Sequence, residues 1–150
     1  MKSCQARPWL MCLLTSGAMA TAWSAENAPA HEHNASCVSA LTTRAEPLAA
    51  RLKAGDQTVE AELLKLTESG FAIIGTSYQD GLRKPEADQL LNKAKKAQQS
   101  LPRAELNKLQ DSCLLEGTQV MADANALERF LVSTAARRRV NRIAESGKKR

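Results

Sequence analysis

A chain of 150 residues with 43% hydrophobic and only 3% aromatic content is long enough for one domain with one core, and that core has to be aliphatic. Seven glycines, five prolines and no sustained alternation of apolar and polar residues argue against a sheet and for helices. The formal net charge of +5 hides a split: residues 23–136 hold 12 basic against 15 acidic side chains, and residues 137–150 hold 7 against 1.

Residues 1–22 read as a signal peptide. Lys2 and Arg7 give a positive start, Trp9 to Leu14 opens an apolar stretch, and Ala18, Ala20 and Ala22 offer the small-x-small pattern a signal peptidase cuts after. The stretch is too short, and too broken by Thr15, Ser16 and Gly17, to span a bilayer. Cleavage near Ala20 or Ala22 would remove Cys4 and Cys12 and leave Cys37 and Cys113. Two thiols in an oxidising compartment are most simply one disulfide. The expected location is therefore periplasmic or secreted, with no transmembrane segment in the mature chain.

Residues 23–35, with Pro29 and two histidines, show no periodicity and read as a flexible leader. A helical domain is expected over 36–146. Its first helix starts near Ser36, with Cys37, Val38, Leu41 and Ala45 on one face. Pro47 predicts a kink or restart, after which Leu48 and Leu52 lead to Gly55.

The second helix is capped by Asp56 or Thr58 and turns Val59, Leu63, Leu66, Gly70, Ile73 and Ser77 inward at steps of three and four. Gly81 suits a left-handed stop, followed by apolar Leu82. Pro85 opens a third helix with Ala87, Leu90, Leu91, Ala94, Ala97 and Leu101 inward. Pro102 opens a fourth with Leu106, Leu109, Cys113, Gly117 and Val120 inward. Asn125 with Glu128 makes a capping box for a fifth, whose expected inner face is Leu127, Phe130, Leu131 and Ala135. Residues 147–150 are left as a basic tail. Glu62-Leu63-Leu64-Lys65-Leu66 is echoed 43 residues later by Glu105-Leu106-Asn107-Lys108-Leu109, a period typical of helical-hairpin arrays.

The run Gly75-Thr76-Ser77-Tyr78-Gln79-Asp80-Gly81, with Ala87 and Ala94 following, makes residues 72–94 resemble one Sel-like repeat, a relative of the tetratricopeptide hairpin. The resemblance implies two helices packed closely through small residues, with Tyr78 filling the space between them, and a protein-binding role. Leu82-Arg83 stands where the family's turn carries its second glycine. The whole chain is thus expected to be all-α, with four to five helices packed as antiparallel hairpins (a bundle or a short helical-repeat array) and one disulfide.

Candidate chemistry is thin. His31 and His33, with Cys37 four residues on, are ligand types that suit zinc or copper. Glu68-Ser69 is similar to the Glu-Ser start of a motif in lytic transglycosylases, where a lone Glu acts as general acid. Hydrolytic schemes with a rigidly held His find no histidine in 36–146. Redox chemistry finds no Cys-x-x-Cys, and haem finds no Cys-x-x-Cys-His and no facing His or Met pair. No cofactor is expected. Phe71, Tyr78 and Phe130 are candidates for a groove or for core bulk. Arg137, Arg138, Arg139, Arg142, Lys148, Lys149 and Arg150 are candidates for weak contact with an anionic surface.

These residues predict an exported, non-enzymatic binding or adaptor protein of the bacterial envelope with a protein partner. The alternatives are a copper, zinc or small-molecule carrier using the His-containing leader, and an enzyme acting on peptidoglycan.

Overall fold

Five α-helices and one short 3-10 turn account for nearly all of residues 27–148, which are the residues described by the computed structural model. They are α1 (Ala28–Lys53), the 3-10 turn Gln57–Val59, α2 (Glu60–Gln79), α3 (Lys84–Gln98), α4 (Arg103–Asp123) and α5 (Ala126–Lys148). Among the described residues there is no strand. The signal-peptide assignment, with Cys4, Cys12 and both candidate cleavage alanines, lies outside the described residues, as do Trp23, Lys149 and Arg150.

The flexible leader has to be corrected over residues 28–35, because α1 begins at Ala28 with Pro29 in its first turn. Proline is favoured there, where its missing N–H and fixed φ cost nothing. The buried side of this turn is His31, Ala35 and Ser39, spaced by four but small or polar. The helix also runs without interruption through Pro47, against the expected restart. Pro47 is solvent-exposed, so the amide bond it removes lies on the water side.

α1 packs against all four other helices. It runs antiparallel to α2, as Asn34 donates to Thr76 Oγ1 (3.1 Å) and Ser77 Oγ (2.9 Å) near one end while Arg44 reaches Glu62 further along. It is also antiparallel to α4, with His33 beside Glu116, Cys37 bonded to Cys113, and Arg44 on Asp111 at 2.7 Å. The Gln98 amide of α3 donates to the Ser36 carbonyl at 2.8 Å and is itself buried. Gln98 thus takes the inward place that the apolar pattern gave to Ala97 and Leu101, both of which are exposed.

Two apolar clusters fill the interior. The first joins Cys37, Leu41, Leu66, Ile73 and Cys113. The second joins Leu52, Val59, Leu63 and Val140. The predicted inner face of α2 is buried throughout, from Val59 to Ser77. The Cys37–Cys113 disulfide, with Cα atoms 5.1 Å apart, ties α1 to α4. In the chain-entropy account a loop of this length restricts the unfolded chain by about 4–5 kcal/mol.

Local signals set the helix ends. Gly55 and Gly81 have φ of 100° and 93°, which only glycine adopts freely. Leu82 N–H returns to the Ser77 carbonyl at 2.9 Å while its side chain is buried, completing a Schellman stop. Asn125 Oδ1 accepts from Glu128 N–H at 3.0 Å and Glu128 Oε2 accepts from Asn125 N–H at 2.9 Å, the reciprocal box that opens α5.

α5 departs most from expectation. Its buried residues are Ala136 and Val140, whereas Leu127, Phe130 and Leu131 are 66%, 65% and 56% exposed. The inner face predicted for this helix is corrected: Leu127 and Phe130 face outward, Leu131 only edges a groove shared with α2 and α4, and the buried contacts of α5 fall later, at Ala136 and Val140. The tail boundary moves as well. Residues 147 and 148 belong to α5, and a Cβ at Gly147 would collide with the Lys53 carbonyl.

Candidate functional site

α2 separates two surface grooves, and a glycine opens onto each. The larger, about 500 Å³, runs between α1 and α2. Leu41, Leu63 and Leu66 form its floor, Val38, Ala45 and Ala49 one wall, and Phe71, Ile74 and Tyr78 the other; Leu91 of α3 and Arg139 and Ile143 of α5 close its flanks. Its polar groups are few: Thr42, Thr67, Glu46 and Arg139. The second groove, about 270 Å³, lies between α2, α4 and α5, where Gly75, Val120, Met121 and Leu131 meet.

The glycines sort by physical cause. Gly117 lies against Ser69, where a Cβ would sit 2.5 Å from the serine Cβ and 2.8 Å from its Cα. That glycine is required by the close approach of α2 and α4. Gly70 and Gly75 have nothing within 4 Å of a Cβ position, yet both lie within α2. A glycine in a helix interior costs about 0.5–1 kcal/mol relative to alanine. Packing does not require either one; what each provides is open groove.

The aromatic candidates divide accordingly. Phe71 and Tyr78 line the larger groove, Phe71 half-buried and Tyr78 45% exposed. Phe130 is in neither groove's wall. It stands with Leu127 on the outer side of α5, in a contiguous stripe with Leu131, which borders the second groove. Core bulk is therefore the wrong reading for Phe130.

The basic candidates Arg137, Arg138, Arg139 and Arg142 are all exposed on α5, spread around about half of the helix and not on one face, with Arg139 at the flank of the larger groove. The side chain of Lys148 lies outside the described residues together with Lys149 and Arg150. Glu68 is half-buried midway along α2 and lines neither groove.

The histidines do not act together. Two positions apart on a helix, they point about 200° away from each other. His31 is buried and its Nδ1 has no hydrogen-bond partner among the described residues. His33 is outward, with Nε2 2.8 Å from Glu116 Oε2. Both of those atoms lie 3.8 Å from Cys37 Sγ, so His33, Cys37 and Glu116 offer three ligand atoms within 4.8 Å of one another. In the disulfide, Cys37 has no thiolate to give. Glu116 is the member that sequence reading missed; it stands 83 residues from His33, and only the α1–α4 pairing brings it there.

Among the described residues no helix is long and apolar enough to cross a membrane. Compared with known proteins, the chain matches no family model, no curated protein and no solved structure.

Proposed function

We propose that this chain is an exported, non-enzymatic helical binding protein that accepts the apolar face of a partner helix in the α1–α2 groove. The observation that supports the reading is Gly70, a helix-interior glycine whose missing side chain faces open space. The groove's walls extend from Val38 to Ala49 on α1 and from Leu63 to Tyr78 on α2. At 1.5 Å per residue that is roughly 16–22 Å of edge, the length of three to four helical turns. Helix-in-groove recognition anchors partner side chains at i, i+3 or i+4 and i+7 over such a length. Glu46 and Arg139 at the margin supply one charge of each sign to fix its orientation.

A second reading has its own observation. Leu127, Phe130 and Leu131 form an exposed apolar stripe, and patches of this kind mark interaction surfaces. An adaptor needs two surfaces, and these two lie on different helices.

Crosslinking capture of a partner from an envelope extract tests both readings, run with the unaltered chain, Gly70→Leu and Phe130→Ser. Leucine at position 70 fills the groove. The expected result is a crosslinked partner kept by Phe130→Ser and lost from Gly70→Leu at unchanged helix content. Retention by Gly70→Leu rejects the groove. Loss from Phe130→Ser alone moves the partner to the α5 stripe.

A further inference from the structure

The α1–α4 seam carries more ligand atoms than its disulfide uses. His33 and Cys37 are one turn apart on α1, and Cys113 and Glu116 one turn apart on α4, so each pair presents its side chains on the same face. The disulfide brings the two pairs together with Cα atoms of the cysteines 5.1 Å apart. We propose that the dithiol form of this protein binds one zinc ion through His33 Nε2, Cys37 Sγ, Cys113 Sγ and a Glu116 carboxylate oxygen.

Three of the four ligand atoms already stand close to what such a site requires, and Cys113 Sγ, bonded to Cys37 Sγ, is the one that has to turn toward them. With zinc–sulfur bonds near 2.3 Å and zinc–nitrogen or zinc–oxygen bonds near 2.0–2.1 Å, the edges of a tetrahedron are about 3.3–3.8 Å. Cys37 Sγ already stands 3.8 Å from both His33 Nε2 and Glu116 Oε2. His33 and Glu116, now in contact at 2.8 Å, need to part by about half an ångström. The two sulfurs separate once their bond is broken, by side-chain rotation. Access is also provided. The cysteines are buried, while the His33 and Glu116 side chains are 56% and 35% exposed, so an ion enters from the solvent side and meets the thiolates beneath.

The step balances simply. An external dithiol gives the Cys37–Cys113 bond two electrons and two protons, becoming a disulfide itself. The S–S bond breaks and two thiols form. Zinc then displaces both thiol protons to solvent, and neutral His33 and ionised Glu116 complete the shell. In the oxidised form only His33 and Glu116 are left as ligands, too few for a closed site. The oxidised chain is held together by a covalent bond and the reduced one by a metal.

Cobalt(II) titration of the reduced processed chain, which lacks Cys4 and Cys12, read by the visible bands of tetrahedral cobalt and the thiolate charge-transfer band, tests this directly. The expected result is one cobalt per chain in the reduced form, displaced by zinc, and none in the oxidised form. Glu116→Gln and His33→Asn should each weaken uptake by more than about tenfold, since even outer-shell changes weaken metal sites by that much. A reduced protein that stays helical and takes up no cobalt overturns the proposal, as does uptake unchanged in both variants. If reduction unfolds the chain, recovery of helix by one equivalent of zinc supports the site, and failure to recover overturns it.

Discussion

Gly117 of α4 rests on Ser69 of α2 with no room for a methyl group between them. That contact sets the separation of the two helices, and it contrasts with Gly70, one residue along from Ser69, whose Cβ position is empty. The same substitution should therefore have opposite signs at the two sites. Gly117→Ala forces the helices apart and should destabilise by about 1–3 kcal/mol, the cost of overpacking. Gly70→Ala should stabilise by about 0.4–1 kcal/mol through unfolded-state entropy and helix propensity. Chemical denaturation of the two variants checks this, and two changes of the same sign would contradict the packing.

Leu66 and Phe130 make a second pair. Leu66 is 2% exposed in the first cluster and Phe130 is 65% exposed on α5. Leu66→Ala should cost about 2–5 kcal/mol, as buried leucines do. Phe130→Ala should change stability by less than about 0.5 kcal/mol. Comparable losses from both would mean that the outer face of α5 is covered in solution.

Acid reaches the turn from α1 into α2 through Asp56. The side-chain hydrogen bond from Thr58 holds the Asp56 carboxyl below its ordinary value of 3.8, helped by the hydrogen bonds from Arg51 and from the Thr58 amide. A carboxyl whose folded pKa is depressed adds stability that is complete above its unfolded value and is lost as pH falls through the folded one. NMR titration should place the Asp56 midpoint below 3.8, and Thr58→Ala should move it upward. A midpoint unmoved by Thr58→Ala would remove the Thr58 hydroxyl bond to Asp56 from the account of this turn.

Where strong apolar residues recur at helical spacing and one side of the helix is plainly richer, as in α2, the sequence and the structure agree residue by residue. Cap chemistry was equally legible, because Asn125 with Glu128 and Gly81 with Leu82 act over a few residues. Three kinds of information were not. The start of α1 is buried through His31, Ala35 and Ser39, which an apolar count ignores, although Pro29 marked the place where a helix begins. On α5 the pattern located an apolar stripe but carried no sign for whether a neighbour covers it; Ala136 and Val140 made the contact instead. The His33, Cys37 and Glu116 cluster depends on the pairing of α1 with α4, which no local pattern encodes.

The central position of α1 also has a consequence for how the chain is made. Among the described residues every helix that covers α1 follows it in the sequence, and its far end meets Val140 and Gly147, almost at the last turn of α5. A ribosome delivers α1 first and its final partner last, so the cluster of Leu52, Val59, Leu63 and Val140 cannot close on a growing chain. Until α5 emerges, the Leu52 end of α1 stays open to whatever holds unfolded chains, while α2, α3 and α4 come earlier to cover the rest.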